Sequence, residues 1–281
     1  MRWYVSIGAV LVAGVLAGGD VAGIAAPGPG NQSSPRLADK EAVVDVELVL
    51  AVDVSYSMDM DELAIQREGY AQAITSKEFL QALKAGPNGK VAITYFEWAA
   101  STDQKLIIPW RVIDGPESAD AVAAEILKTP IRRASRTSIS GAINFAMPLF
   151  DENNYRGLRR VIDISGDGPN NNGSPVTVAR DAALEKGIII NGLPIMVKEP
   201  SLSTTDIENL DLYYEDCVIG GPGAFIIAIK DREKFQEAIR TKLVREVAGL
   251  TPKLRIVAAA EKEPRVPCLI GENRWQERRV R

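Results

Sequence analysis

The sequence predicts an α/β fold: a doubly wound, mostly parallel sheet with helices on both faces and one antiparallel edge strand. Three observations carry this expectation. Short apolar runs alternate along the chain with stretches of helical period. The first run, "VVDVELVLAV" at residues 43–52, ends continuously apolar, as a strand covered on both faces requires. The run "KLIIPW" carries a proline, which suits an edge position.

Residues 43–52 are expected to form the first central strand. From Met60 the period changes, with Leu63, Tyr70 and Ile74 on one side and Asp59, Asp61 and Glu62 where acidic groups favour a helix start. "VAITYFEWA" then reads as a strand, "KLIIPW" as the edge strand, and "SADAVAAEILK" and "TSISGAINFAMPLF" as helices. "RRVIDIS" is a strand, "PVTVARDAALEKG" a helix closed by Gly187, and "IIINGLPI" a strand. "TTDIENLDLYY" is expected to be helical and "AFIIAI" a strand. The final helix starts at Asp231 and carries Phe235, Ile239, Leu243, Val247 and Leu250 along one side. "IGGPGAF" lacks the Lys-Ser/Thr and the following helix of a phosphate loop, and reads as a turn into a strand.

The flanks differ from this domain, taken as residues 42–250. Residues 1–25 have the layout of a secretory signal: Arg2, an apolar run and small residues, with cleavage after Ala17 or Ala25. Asp20 interrupts the run before the roughly 20 apolar residues of a spanning helix. The chain is therefore expected to be exported, periplasmic or secreted, with no stable membrane span after cleavage, an uncleaved N-terminal anchor being the less favoured alternative. Residues 26–41 are rich in turn formers and read as a linker, and residues 251–281 form a tail outside the sheet. Cys217 and Cys268 lack the close spacing of a zinc or redox site, and can pair if the compartment is oxidising.

Composition narrows the chemistry. A formal net charge of -4 argues against a nucleic-acid binder held by phosphate neutralisation, which would need a basic face. The absence of histidine removes the usual general base of hydrolytic triads and the commonest zinc ligand. What remains is a set of oxygen donors. "DVSYSM" delivers Asp53, Ser55 and Ser57 to the end of a buried strand, "SGDGPNNNG" follows another strand and carries Asp167, and "RASRTSISGAI" holds Thr137 just before a helix. In open parallel sheets ligands collect beyond the carboxyl ends of strands. Two carboxylates and three hydroxyls suit a hard cation, Mg²⁺ or else Mn²⁺ or Ca²⁺. Because hydroxyls coordinate without cancelling charge, the ion keeps its attraction for an anionic ligand from elsewhere. Ser135 and Ser138 compete with Thr137, and Asp163 with Asp167. Glu97 and Trp98 end a strand at the same edge.

"DVSYS" has the D-x-S-x-S form of the metal-ion-dependent adhesion site, and residues 43–250 resemble the von Willebrand factor A (vWA) superfamily. The passages "DVSYSM", "DISGDGPNNNG" and "DLYYEDCVIGGPGAF" look like an exported bacterial branch of it without established function. The resemblance implies that Ser55, Ser57 and Thr137 touch the metal, while Asp53 and Asp167 act largely through hydrogen bonds and waters. It also implies that a partner protein supplies an Asp or Glu carboxylate to the open position, and that the chain is not an enzyme. Two departures stand out: "SR" replaces the glycine that often precedes the second-loop threonine, and "SGDG" stands where "TDG" is common. A competing expectation is a metal-assisted phosphohydrolase with Asp53 as nucleophile, though Ser55 occupies the place of its second aspartate. A third is a cation that only braces the loops. Oligomeric state is not legible in the sequence.

Overall fold

The computed structural model describes residues 42–198, 207–248 and 263–280. The signal and linker expectations lie outside these residues, as do part of the tail and Leu250. The described residues share one compact unit. Five strands form its sheet: β1 (Ala42–Asp53), β2 (Val91–Trp98), β3 (Gln104–Ile113), β4 (Tyr155–Gly166) and β5 (Ile189–Pro194), in the order β3-β2-β1-β4-β5. β1 pairs in parallel with β2 and β4, β4 in parallel with β5, and β2 antiparallel with β3. Pro109 is exposed on that edge strand, next to an irregularity in its register.

Alternation along β1 feeds two cores. Leu48, Leu50 and Val52 face one layer with α1 (Met60–Thr75), α3 (Pro116–Lys128) and α7 (Phe235–Val247), through Leu63, Tyr70, Val122, Phe235 and Leu243. Val49 and Ala51 face the other, with α4 (Ile139–Leu149) and α5 (Val176–Glu185), through Ile139, Ile143, Val176 and Ala183. Burial on both faces makes the strand apolar at successive positions, the pattern legible in the sequence. At about 25 cal/mol per Å² of apolar surface, fully burying each such aliphatic side chain contributes roughly 1.5–3 kcal/mol.

Asp59 caps α1 with a reciprocal pair: Glu62 N–H donates to Asp59 Oδ1 at 2.8 Å and Asp59 N–H to Glu62 Oε2 at 2.8 Å. Ser76 is extended (φ -67°, ψ 149°), ends α1 and starts an unforeseen helix, α2 (Lys77–Lys84). Its hydroxyl accepts from Phe79 N–H, which is why the two helices are distinct. Gly187 closes α5 in the left-handed region at φ 69°.

Two elements differ from expectation. "AFIIAI" is not a regular strand but meets β5 only through isolated bridges, Gly192 with Ile226 and, beyond the strand end, Ile195 with Ile229. The ladder fails because the Asn191 side chain takes the Phe225 N–H at 2.9 Å, and Pro194 has no N–H to give. The helix expected over "TTDIENLDLYY" is, among the described residues, only α6 (Leu210–Tyr213) running into a π-turn, Tyr214–Val218. Within the described part of the tail, Cys268 forms a disulfide with Cys217, and α8 (Ile270–Val280) follows it. No helix among the described residues is long and apolar enough to cross a membrane.

Candidate metal centre

β1 and β4 are neighbours from which the chain winds outward in opposite directions, so their carboxyl ends flank a topological switch point. Asp53 is the last residue of β1 and is fully buried. Its Oδ1 accepts the Ser55 N–H at 2.7 Å, which turns the chain sharply and brings Ser55 and Ser57 to the same side. The two hydroxyl oxygens stand 2.8 Å apart. Ser57 Oγ–H donates to Asp167 Oδ1 at 2.6 Å, joining the first loop to the third.

Gly166, at the end of β4, allows the approach of these loops. A Cβ there would lie 3.0 Å from Asp53 Oδ2 and 3.0 Å from Tyr214 Oη. Thr137 is buried, and its Oγ1 would lie 3.9 Å from a Cβ on Gly168, placing the second loop against the third. Ala134 N–H donates to Val54 O at 2.9 Å, tying the second loop to the first.

The rivals of Thr137 and Asp167 have other places. Ser138 caps α4, its Oγ accepting from Gly141 N–H at 3.1 Å and donating to Asn172 O at 2.7 Å. Ser135 is exposed. Asp163 is buried under the sheet 2.7 Å from Lys242 Nζ, which also contacts Glu246 at 2.8 Å. Glu97 is buried and paired with Arg67 and Arg132, while Trp98 is wholly within the core, so neither lines the rim.

The run "PNNNG" contributes what the sequence reading passed over. Asn171 Oδ1 accepts Thr137 N–H at 3.0 Å, and its own N–H donates to Thr137 O at 2.8 Å. Asn170 Oδ1 accepts Ser140 N–H at 3.0 Å, and Asn172 Oδ1 accepts Ser101 N–H at 2.8 Å. Three successive amides thus tie the third loop to the second (Asn171), to the α4 start (Asn170) and to the turn between β2 and β3 (Asn172). The signal was present as a polar run without periodicity after Gly-Asp-Gly-Pro.

Electrostatically the centre is short of positive charge. Burial, and then the negative charge of Asp167, hold the Asp53 carboxyl well above the usual carboxylate range, against the lowering effect of its Ser55 hydrogen bonds. Asp53 Oδ2 is buried without a hydrogen-bond partner. An unpartnered carboxylate oxygen, a second carboxylate and neighbouring hydroxyls are the donor chemistry of a hard divalent cation, so the residues fit one. No three His, Cys, Asp or Glu side chains cluster for a metal among the described residues, and the hydroxyls are what would make this set sufficient. Beside it opens a pocket of about 420 Å³, lined by Asp167, Glu62, Lys198, Ile195, Met196 and Leu210 among others. Lys198 donates to Ser57 O at 2.8 Å and pairs with Glu62.

Comparison with known proteins agrees with the topology. The chain is similar to the pilus adhesin SpaC from Lactobacillus rhamnosus GG (TM-score 0.53, 11% identity, 73% of this chain and 31% of that one). It is similar to the PilB minor pilin from Streptococcus sanguinis (TM-score 0.53, 13% identity, 74% and 62%). It is also similar to a von Willebrand factor type A protein from Catenulispora acidiphila (TM-score 0.50, 14% identity, 73% and 43%). It spans less than two thirds of each of these chains. No curated protein matches it. With its α/β sheet and topology those of a vWA domain, and with residues 43–251 matching the family described as "Protein of unknown function (DUF1194)", the chain belongs to that family.

Proposed function

We propose that the chain is an exported, divalent-cation-dependent protein-binding module that captures an Asp or Glu carboxylate of a partner. One observation carries the reading: Asp53, Ser55, Ser57 and Asp167 form a connected chain of contacts at the switch point, with Asp53 Oδ2 buried and unpartnered. Ser55, Ser57 and Thr137 would hold the cation directly, and Asp53 and Asp167 would steady it through hydrogen bonds. Mg²⁺ is the first choice, with Mn²⁺ or Ca²⁺ as substitutes. Such an ion supplies an under-neutralised positive charge that an incoming carboxylate completes. The pocket beside Asp167 gives room for the partner's flanking residues.

Export is in keeping with the Cys217–Cys268 disulfide, a bond that persists in oxidising compartments. Capture of a protein is in keeping with a fold shared with a pilus adhesin and a minor pilin. The phosphohydrolase reading has less support, because Asp53 is fully buried and its Oδ1 is engaged by the Ser55 N–H.

Calorimetry with Mg²⁺ on the wild type and on Asp53→Ala tests the cation site, and equal binding by both removes it. A cross-linking pull-down from exported fractions, with Mg²⁺ and with EDTA, tests capture. Mg²⁺ stabilisation of the fold with no cation-dependent partner would reduce the ion to a brace.

A further inference from the structure

Helix α8 stands outside the sheet, yet it contacts both loops that would complete the cation site. Arg136, the residue immediately before Thr137, has φ 77°, and it is the one non-glycine residue in the left-handed region among those described. A side chain in that region costs about 1–2 kcal/mol relative to ordinary backbone, so something must hold it there. Its guanidinium lies over the Trp275 ring of α8, 3.5 Å from the ring centroid. Stacking of a planar cation on an indole offsets a cost of that size.

The second contact is to the third loop. Asn170 Nδ2 donates to Glu272 Oε1 at 2.7 Å while its Oδ1 receives the Ser140 N–H, so one side chain joins α8, the third loop and α4. Gly271 lets the helix backbone lie directly on this loop: a Cβ there would meet Asn170 O at 2.0 Å. The Cys217–Cys268 bond ties the chain just before α8 to the π-turn after α6.

We infer that α8 is an intramolecular clamp, with Trp275 and Glu272 as positioning residues that hold the second and third loops where Thr137 and Asp167 converge. The effect on the cation rests on the function proposed above; the effect on the loops does not. Arg136 makes the clamp necessary, because at that position a glycine would adopt the same backbone without strain.

The test measures amide hydrogen exchange of the full chain without cation, together with Mg²⁺ affinity by calorimetry. In Trp275→Ala, exchange at residues 134–138 is expected to speed up, and Mg²⁺ affinity to fall roughly tenfold, the equivalent of the lost compensation. Adding Arg136→Gly to Trp275→Ala is expected to restore most of that affinity, which a merely structural role for the indole would not produce. Glu272→Ala is expected to speed exchange at residues 170–172, and it carries the test if Trp275→Ala does not fold. Unchanged exchange in the folded variants overturns the clamp. A wild type that binds no Mg²⁺ overturns the function above, while the exchange measurement still decides the clamp.

Discussion

Ser57 Oγ lies 2.6 Å from Asp167 Oδ1, although 110 residues separate them. The contact exists because β1 and β4 are sheet neighbours in register, Val52 facing Ser165, so the loops beyond them leave the sheet side by side. Ser57→Ala removes the hydroxyl that links Ser55 to Asp167. Because Ser57 is itself one of the proposed ligands, Mg²⁺ affinity is expected to fall by at least the roughly 10- to 100-fold that loss of a mere orienting group costs. The cation-free melting temperature should change little, since Ser57 is only half-buried. Calorimetry and thermal melts read the two effects separately.

Gly166→Ala places a methyl group 3.0 Å from both Asp53 Oδ2 and Tyr214 Oη. Crowding of this kind costs about 1–3 kcal/mol. Urea unfolding is expected to show a lower midpoint, with weaker Mg²⁺ binding because Asp53 must move. A variant with wild-type stability and affinity would mean that the close approach is not required.

Lys242 is buried between Asp163 and Glu246, at 2.7 and 2.8 Å. Lys242→Met leaves two buried carboxylates facing each other without a cation between them. Removing one partner from a buried ion pair costs roughly 3–5 kcal/mol, and a loss near that size is expected in chemical denaturation. Glu246 also accepts from the Asn191 amide, so some of its hydrogen bonding survives.

Asp163 gives the fold a pH dependence. Burial raises its carboxyl to about 6, with Lys242 opposing the rise. The folded state therefore holds a proton that the unfolded chain releases near 3.8. The stability from this group is complete below that lower value and is lost as pH rises through about 6. Asp163→Asn is expected to flatten the stability profile between these limits. Unfolding midpoints measured across that window check it, and an unchanged slope would assign the dependence elsewhere.

The members of the candidate site were picked out in the sequence for different reasons. Asp53, Ser55 and Ser57 are local: a buried apolar strand followed by a short polar triplet can be read in one window. Thr137 and Asp167 were reached through spacing and the resemblance to vWA domains, and their nearness to the first loop is a matter of strand order. The three asparagines at 170–172 had a visible composition but no visible partners, because each bonds to a residue about 30 or more positions away. The irregular course of "AFIIAI" turned on two residues of the neighbouring strand, Asn191, which intercepts a backbone N–H, and Pro194, which has none to give. Nothing within that apolar segment announces the event.

By itself the sequence determined the alternation of strands and helices, the two-faced burial of β1, the edge placement of β3 and the all-oxygen character of the candidate site. These follow from periodicity and residue type, which act over a few positions. Only the tertiary structure decided that Asp163 answers to Lys242 while Asp167 answers to Ser57, and that Arg136 stacks on Trp275. Pairings of that kind depend on which strands become neighbours and where a distant helix docks, and the hydrophobic free energy of the whole core selects that arrangement.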